Sequence, residues 1–402
     1  MSIQRLAPRM SVIGASPTAE ISNKVRALRA AGFDVVNLGE GELDFATPKA
    51  IADAGIEAIR NGETKYTAVS GTAALKAAII HKFKTENSLT YEPNQVIAGA
   101  GAKQLIFNAF FATLDAGDEV IIPAPYWVSY PDMIRLAGGV PVSVATKRSN
   151  RWILQPEELE AAITPKTRWV ILNSPSNPTG AVYSKDELKA LTDVLLRHPN
   201  VLVMADDIYE HVIYQGTFAT PAAVEPALFD RTLTINGVSK GFSMTGWRLG
   251  YAGGPAWLVS AMEMLQSQST AHPSSISQGA AVAALNGGHD FMPEWIRILA
   301  ERRAVAMDMI ARADGLEADA PEGAFYVFAD CSALFGRKTA DGKVIASDLD
   351  VASYLLDEAH VGVVHGDAFG TPGHIRFAYA VATETLRVAC ERVVAAVNKL
   401  QK

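Results

Sequence analysis

Short apolar, β-branched runs alternate with amphipathic stretches along most of the chain. The runs at 95–98, 119–122, 169–172, 201–204, 232–235 and 249–252 are each short enough for a buried strand. Between them, residues 103–114 set Leu105, Ile106, Ala109, Phe110 and Thr113 on one helical face. Residues 184–196 open with a serine that can cap a helix and with an acidic first turn. Such alternation predicts an α/β fold, a mostly parallel sheet covered by helices on both faces. The C-terminal part reads differently, with strands at 324–328 and 375–379 and a last helix over 383–400. It predicts a smaller α+β unit.

The chain has 402 residues, 49% of them apolar, which is enough for a large core and two domains. Lys and Arg total 36 against 43 acidic residues, a formal charge of −7, so a phosphate-backbone surface for nucleic acid is not expected. The two cysteines, Cys331 and Cys390, lie far apart and without close Cys or His spacing. Neither a disulfide framework nor a metal site is expected. Residues 1–19 alternate polar and apolar positions, and no stretch reaches the roughly 18 apolar residues of a membrane span. A cytoplasmic protein without a membrane partner is the expectation.

In α/β sheets ligands gather at the carboxyl ends of the strands, and the polar residues of this chain cluster there. Gly99-Ala100-Gly101 follows the first run, Asn173 to Gly180 the third, Asp206 to Tyr209 the fourth, and Asn236 to Lys240 the fifth. The glycines ahead of the 103–114 helix can present backbone N–H groups and a positive helix end to a phosphate. Gln104 stands where a dinucleotide fingerprint has its third glycine, and no Gly-Lys-Ser/Thr follows, so neither nucleotide motif fits.

The segment Ser239-Lys240-Gly241-Phe242-Ser243-Met244-Thr245-Gly246-Trp247-Arg248 resembles the lysine-centred motif of the class I and II aminotransferases. Further segments resemble the same family in the same order, from about Ser16 to the C-terminal helix: Asn177-Pro178-Thr179-Gly180, Asp206-Asp207-Ile208-Tyr209-Glu210, and Tyr126-Trp127-Val128-Ser129-Tyr130. The resemblance, closest to the microbial aspartate aminotransferase branch, implies fold type I with a seven-stranded sheet. We expect the large domain at 49–290 and a small substrate-closing domain at 1–48 and 291–402. It implies pyridoxal 5′-phosphate held as a Schiff base on Lys240, the catalytic residue.

By the same resemblance, Asp206 pairs with the cofactor's pyridine nitrogen, where a carboxylate favours the protonated, electron-accepting ring. Asn177 and Tyr209 meet its phenolic oxygen, Trp127 stacks on its ring, and Gly101, Ala102, Lys103, Ser239 and Arg248 line its site. Tyr66 reaches the phosphate of a neighbouring subunit, which implies a homodimer with shared active sites. Arg376 binds the substrate carboxylate through a planar fork of donors. Gly39 contacts the substrate through its backbone, Trp127 and Asn177 also face it, and Ser16 and Thr18 close over its side chain. The implied reaction is ping-pong transfer of an amino group from an L-amino acid, best L-aspartate, to 2-oxoglutarate. An aromatic or prephenate aminotransferase, or a lyase, could use the same cradle. Leu43, His272 and His365 depart from the branch near the side-chain pocket, Gly237 replaces a serine that contacts phosphate, and Asp207 replaces a glutamate.

Overall fold

The computed structural model describes residues 6–402. Among the described residues twelve strands are formed: β1 Val36–Asn37, β2 Val96–Gly99, β3 Glu119–Ala124, β4 Val140–Ala145, β5 Thr167–Asn173, β6 Leu202–Asp206, β7 Thr232–Gly237, β8 Gly250–Gly253, β9 Tyr326–Asp330, β10 Val361–Gly362, β11 Val364–His365 and β12 His374–Ala378. Seven of them build one sheet in the order β2-β8-β7-β6-β5-β3-β4. Only β8 runs against its neighbours, so the other six strands point their carboxyl ends to one edge.

The centre of this sheet is β5, β6 and β7, where nearly every residue is buried, as expected of strands covered on both faces. One face packs on helix Ala102–Thr113 through Leu105, Ile106 and Phe110; part of the other packs on helix Lys185–Leu196 through Leu188, Leu191 and Leu195. The latter helix starts where the sequence predicts, with the Ser184 hydroxyl accepting from the Glu187 N–H at 3.2 Å. The sequence reading names six of the seven strands and omits β4. That strand is the sheet edge, half exposed and carrying Pro141, so it lacks the continuous apolar run of its neighbours.

A second group of elements has its own core. The antiparallel set β11-β12-β9 and the parallel pair β1-β10 pack with helices Met292–Arg312, Asp348–Glu358 and Thr383–Val397. Leu38 and Leu43, from the N-terminal part of the chain, are buried in this same core. Among the described residues no helix is long and apolar enough to cross a membrane.

Candidate active site

At the carboxyl edge of the large sheet, between it and the second core, lies a cavity of about 360 Å³. Its floor comes from strand ends: Asn173 closes β5, Asp206 closes β6, and Ser239 and Lys240 follow β7. From above, β9 and β12 bring Tyr326 and Arg376 into the same space. Thr18, Gly101, Ala102, Lys103, Trp127, Asn177, Tyr209 and Arg248 complete the predicted residues that line it.

The Lys240 amine donates to the Gly41 carbonyl at 2.5 Å and lies 5.8 Å from the Tyr209 ring centre. Burial, reinforced by the Arg376 charge, lowers its pKa to about 8. Asp206 faces the opposite penalty: burial raises its carboxyl to about 6, although the Tyr130 hydroxyl donates to Oδ2 at 2.5 Å. Its other oxygen, Oδ1, is buried and has no hydrogen-bond partner among the described residues. A buried acceptor of this kind is costly unless a donor meets it.

Asn173 ties the strand ends together. Its amide donates to the Asp206 carbonyl at 2.7 Å, and its Oδ1 accepts from the Asn177 N–H at 2.9 Å. Arg376, only 2% exposed, donates to Asn177 Oδ1 at 2.9 Å and to the Gly39 carbonyl at 2.6 Å. Its guanidinium lies between two rings, 4.5 Å from the centre of Tyr326 and 5.0 Å from that of Phe369. Each terminal nitrogen has two N–H groups, so donors remain for a carboxylate.

At the other end of the cavity Gly101 takes φ +97 and precedes a helix with no side-chain cap. A Cβ there would fall 2.7 Å from Arg248 Nη2, so only glycine leaves the helix amides and that guanidinium facing one gap. Such a pairing suits an anion. Gly237 is also filled in: a Cβ would stand 3.1 Å from the Gly250 Cα, so a serine would crowd β8.

Four predicted residues sit differently from the rest. Gly39 meets the cavity only through its carbonyl on Arg376. Ser16 is exposed at the start of helix Pro17–Ala30 and is not among the lining residues. Tyr66 is 93% exposed and lies in a separate cleft, edge-on to His272 at 5.7 Å. The Tyr209 hydroxyl is paired with that of Tyr326 at 2.7 Å. Leu43 and His365 do not line the cavity; Glu42 does, its side chain bonded to Thr245. Sequence reasoning missed Glu42, Tyr130 and Tyr326. Tyr130 closes a segment it had singled out, Glu42 lies between the named Gly39 and Leu43, and nothing local marks Tyr326.

Behind the cavity a buried network fixes the β6 and β7 ends. Glu210, one residue after Tyr209, accepts from Lys82, from Asn87 Nδ2 at 2.6 Å and from Asn236 Nδ2 at 2.7 Å. Burial alone would raise the Glu210 carboxyl, but the Lys82 and His211 charges and the hydrogen bonds from Lys82 and Asn87 together outweigh it and hold the group at about 2. Lys82→Met leaves that carboxylate uncompensated and is expected to cost about 3–5 kcal/mol. Urea unfolding measures it; a loss under about 1 kcal/mol would show that the pair is not what holds the network.

The model of the family "Aminotransferase class I and II" matches residues 34–393. A probable aspartate/prephenate aminotransferase of Rhizobium leguminosarum bv. phaseoli is 53% identical over 389 residues, covering 96% of this chain and 97% of that protein. The crystal structure of the aspartate aminotransferase from Rhizobium meliloti superposes with a TM-score of 0.95 at 50% identity, covering 99% of this chain and 100% of that one. The aspartate aminotransferase from Thermus thermophilus with maleate gives 0.91 at 40% identity, covering 97% and 99%. With the match running through both cores and every strand around the cavity, the chain belongs to the class I and II aminotransferases, a family that works with pyridoxal phosphate.

Proposed function

We propose that this aminotransferase binds pyridoxal 5′-phosphate in the cavity around Lys240 and carries the amino group of L-aspartate to 2-oxoglutarate in two half-reactions. One observation carries the reading: a desolvated lysine amine, an unpartnered buried carboxylate oxygen and a buried guanidinium meet in a single cavity. Asp206 Oδ1 suits a protonated pyridine nitrogen, Trp127 suits the flat ring, and the Gly101–Ala102 edge with Ser239 and Arg248 suits the phosphate. Bound there, the cofactor supplies an electron-accepting ring conjugated to the substrate's amino nitrogen.

The protein's own part is positional and electrostatic. Arg376 orients the substrate by its α-carboxylate, with the Gly39 carbonyl and Asn177 fixing the fork. Lys240, its pKa lowered to about 8, gives up its proton more readily than a free lysine, and its amine moves the proton at the substrate's Cα. Ionised Asp206 would keep the cofactor's pyridine nitrogen protonated, so that the ring accepts the negative charge developing at the substrate's Cα. Tyr326 and Phe369 keep water from the guanidinium. In this reading residues 1–48 and 291–402 form the part that closes over the substrate.

L-Aspartate is supported by the names of the relatives and by the maleate, a dicarboxylate, in the Thermus thermophilus structure. Lys103, its amine 4.9 Å from the Trp127 ring centre, offers a charge for a second carboxylate. The relatives named aspartate/prephenate aminotransferases favour prephenate as a further oxo-acid partner. A panel of amino donors with 2-oxoglutarate and prephenate tests both. Aspartate should lead, and ammonia release without any oxo acid would replace this reading with a lyase.

Arg376→Ala is expected to raise KM for aspartate roughly 10- to 150-fold, the loss of a charge-assisted pair of about 1.5–3 kcal/mol. An unchanged KM would remove the carboxylate role. The exposure of Tyr66 supports a homodimer in which it serves the neighbour's cavity. Sedimentation as a monomer at working concentration would contradict that assembly.

A further inference from the structure

Outside the active site, one cluster of metal-ligating side chains among the described residues is unused by the reaction. Glu86 ends helix Ala73–Asn87, His211 follows the Asp206–Tyr209 turn, and His289 sits beyond helix Ser275–Asn286. Their ligand atoms all lie within 4.8 Å of one another. His211 Nε2 is 2.9 Å from Glu86 Oε2, and His289 Nε2 is 3.8 Å from Glu86 Oε1. The second distance is too long for a hydrogen bond. His289 Nε2 is buried and has no partner among the described residues, so a donor lone pair or N–H points at a carboxylate it does not reach.

We propose that Glu86, His211 and His289 form a binding site for one divalent transition-metal ion of the Zn²⁺ or Co²⁺ type. Two imidazoles and one carboxylate are a ligand set that such borderline ions prefer, with a fourth position left for water. Metal–ligand distances of about 2.0–2.2 Å put tetrahedral ligand atoms roughly 3.3 Å apart, between the two separations observed. An ion would therefore draw His289 toward Glu86 and ease His211 away from it. All three side chains are partly exposed, which gives the ion a way in.

The charges around the cluster allow it. Glu86 and Glu210 are carboxylates, and Lys82 is the nearby cation, 3.6 Å from Glu86 Oε2. Lys82 opposes the ion, yet it is already bound to Glu210 and Asn87 and leaves the surroundings with a net negative charge. Burial opposes ionisation of Glu86, but the His211 hydrogen bond and the Lys82 charge outweigh it. The sequence expectation of no metal site rested on short spacings, whereas these ligands come from distant segments.

The test is a Co²⁺ titration of untagged, metal-stripped holoenzyme, followed by its visible d–d absorption and by Zn²⁺ calorimetry. One equivalent per chain is expected, with Zn²⁺ displacing Co²⁺. His289→Ala should weaken binding at least about tenfold while leaving the metal-free transaminase rate and cofactor spectrum unchanged. His289→Gln, which keeps bulk and offers a poor ligand, should do the same. His198→Ala, removing the separate His198–Glu160 pair, should leave binding intact. The proposal is overturned by an absence of saturable binding, by wild-type affinity in the His289 variants, or by an equal loss in His198→Ala.

Discussion

Lys240→Ala is expected to lower the transamination rate by roughly 10⁴-fold or more while the protein still folds and binds its cofactor without a covalent link. The side chain brings a buried amine into the cavity shared with Asp206 and Arg376, and its lowered pKa suits proton transfer near neutral pH. Lys240→Arg separates charge from basicity: it keeps a cation but cannot give up its proton, and should be as inactive as the alanine variant. Single-turnover absorbance after mixing with aspartate measures the chemical step. A rate within tenfold of wild type in either variant would assign the proton transfer elsewhere.

Asp206→Ala is expected to reduce kcat roughly 10²–10⁴-fold, the cost of removing one member of a buried charge pair of about 3–5 kcal/mol. The same change leaves the Tyr130 hydroxyl without its acceptor, so Asp206→Asn is the cleaner comparison: it keeps the shape and removes the charge. Both variants should lose rate, with asparagine losing less if the Tyr130 contact adds to positioning. The sign of the pH effect follows from the raised carboxyl. Before cofactor is bound, Asp206 takes up a proton as pH falls through about 6, so affinity for the cofactor's protonated ring should fall over the same range, measured by cofactor titration at each pH. A kcat for Asp206→Ala close to wild type would show that the carboxylate does not support the reacting ring.

Much of this was readable along the chain, for a physical reason. Central strands β5, β6 and β7 are buried on both faces and therefore spell continuous apolar runs, and their ends carry Asn173, Asp206 and Lys240 a fixed few residues on. Ser184 caps its helix with a local contact that spacing alone reveals. The edge strand β4 and the two-residue strands β1, β10 and β11 bury too little for a pattern to form. Tyr326 meets Tyr209 and Arg376 only because β9 and β12 pair antiparallel over the large sheet, and that contact has no local trace. The Glu86–His211–His289 cluster was hidden for the same reason.

The one reversed strand shapes the site in a further way. Because β8 turns back along β7 at the same edge instead of crossing over behind a helix, Lys240 and Arg248 hang from a single hairpin whose legs are hydrogen-bonded to each other. Their separation does not depend on the docking of any helix. In the proposed reading, the fastening for the reacting end of a bound molecule and the fastening for its anionic tail are thus marked on a common ruler, ruled by the chain's own pairing.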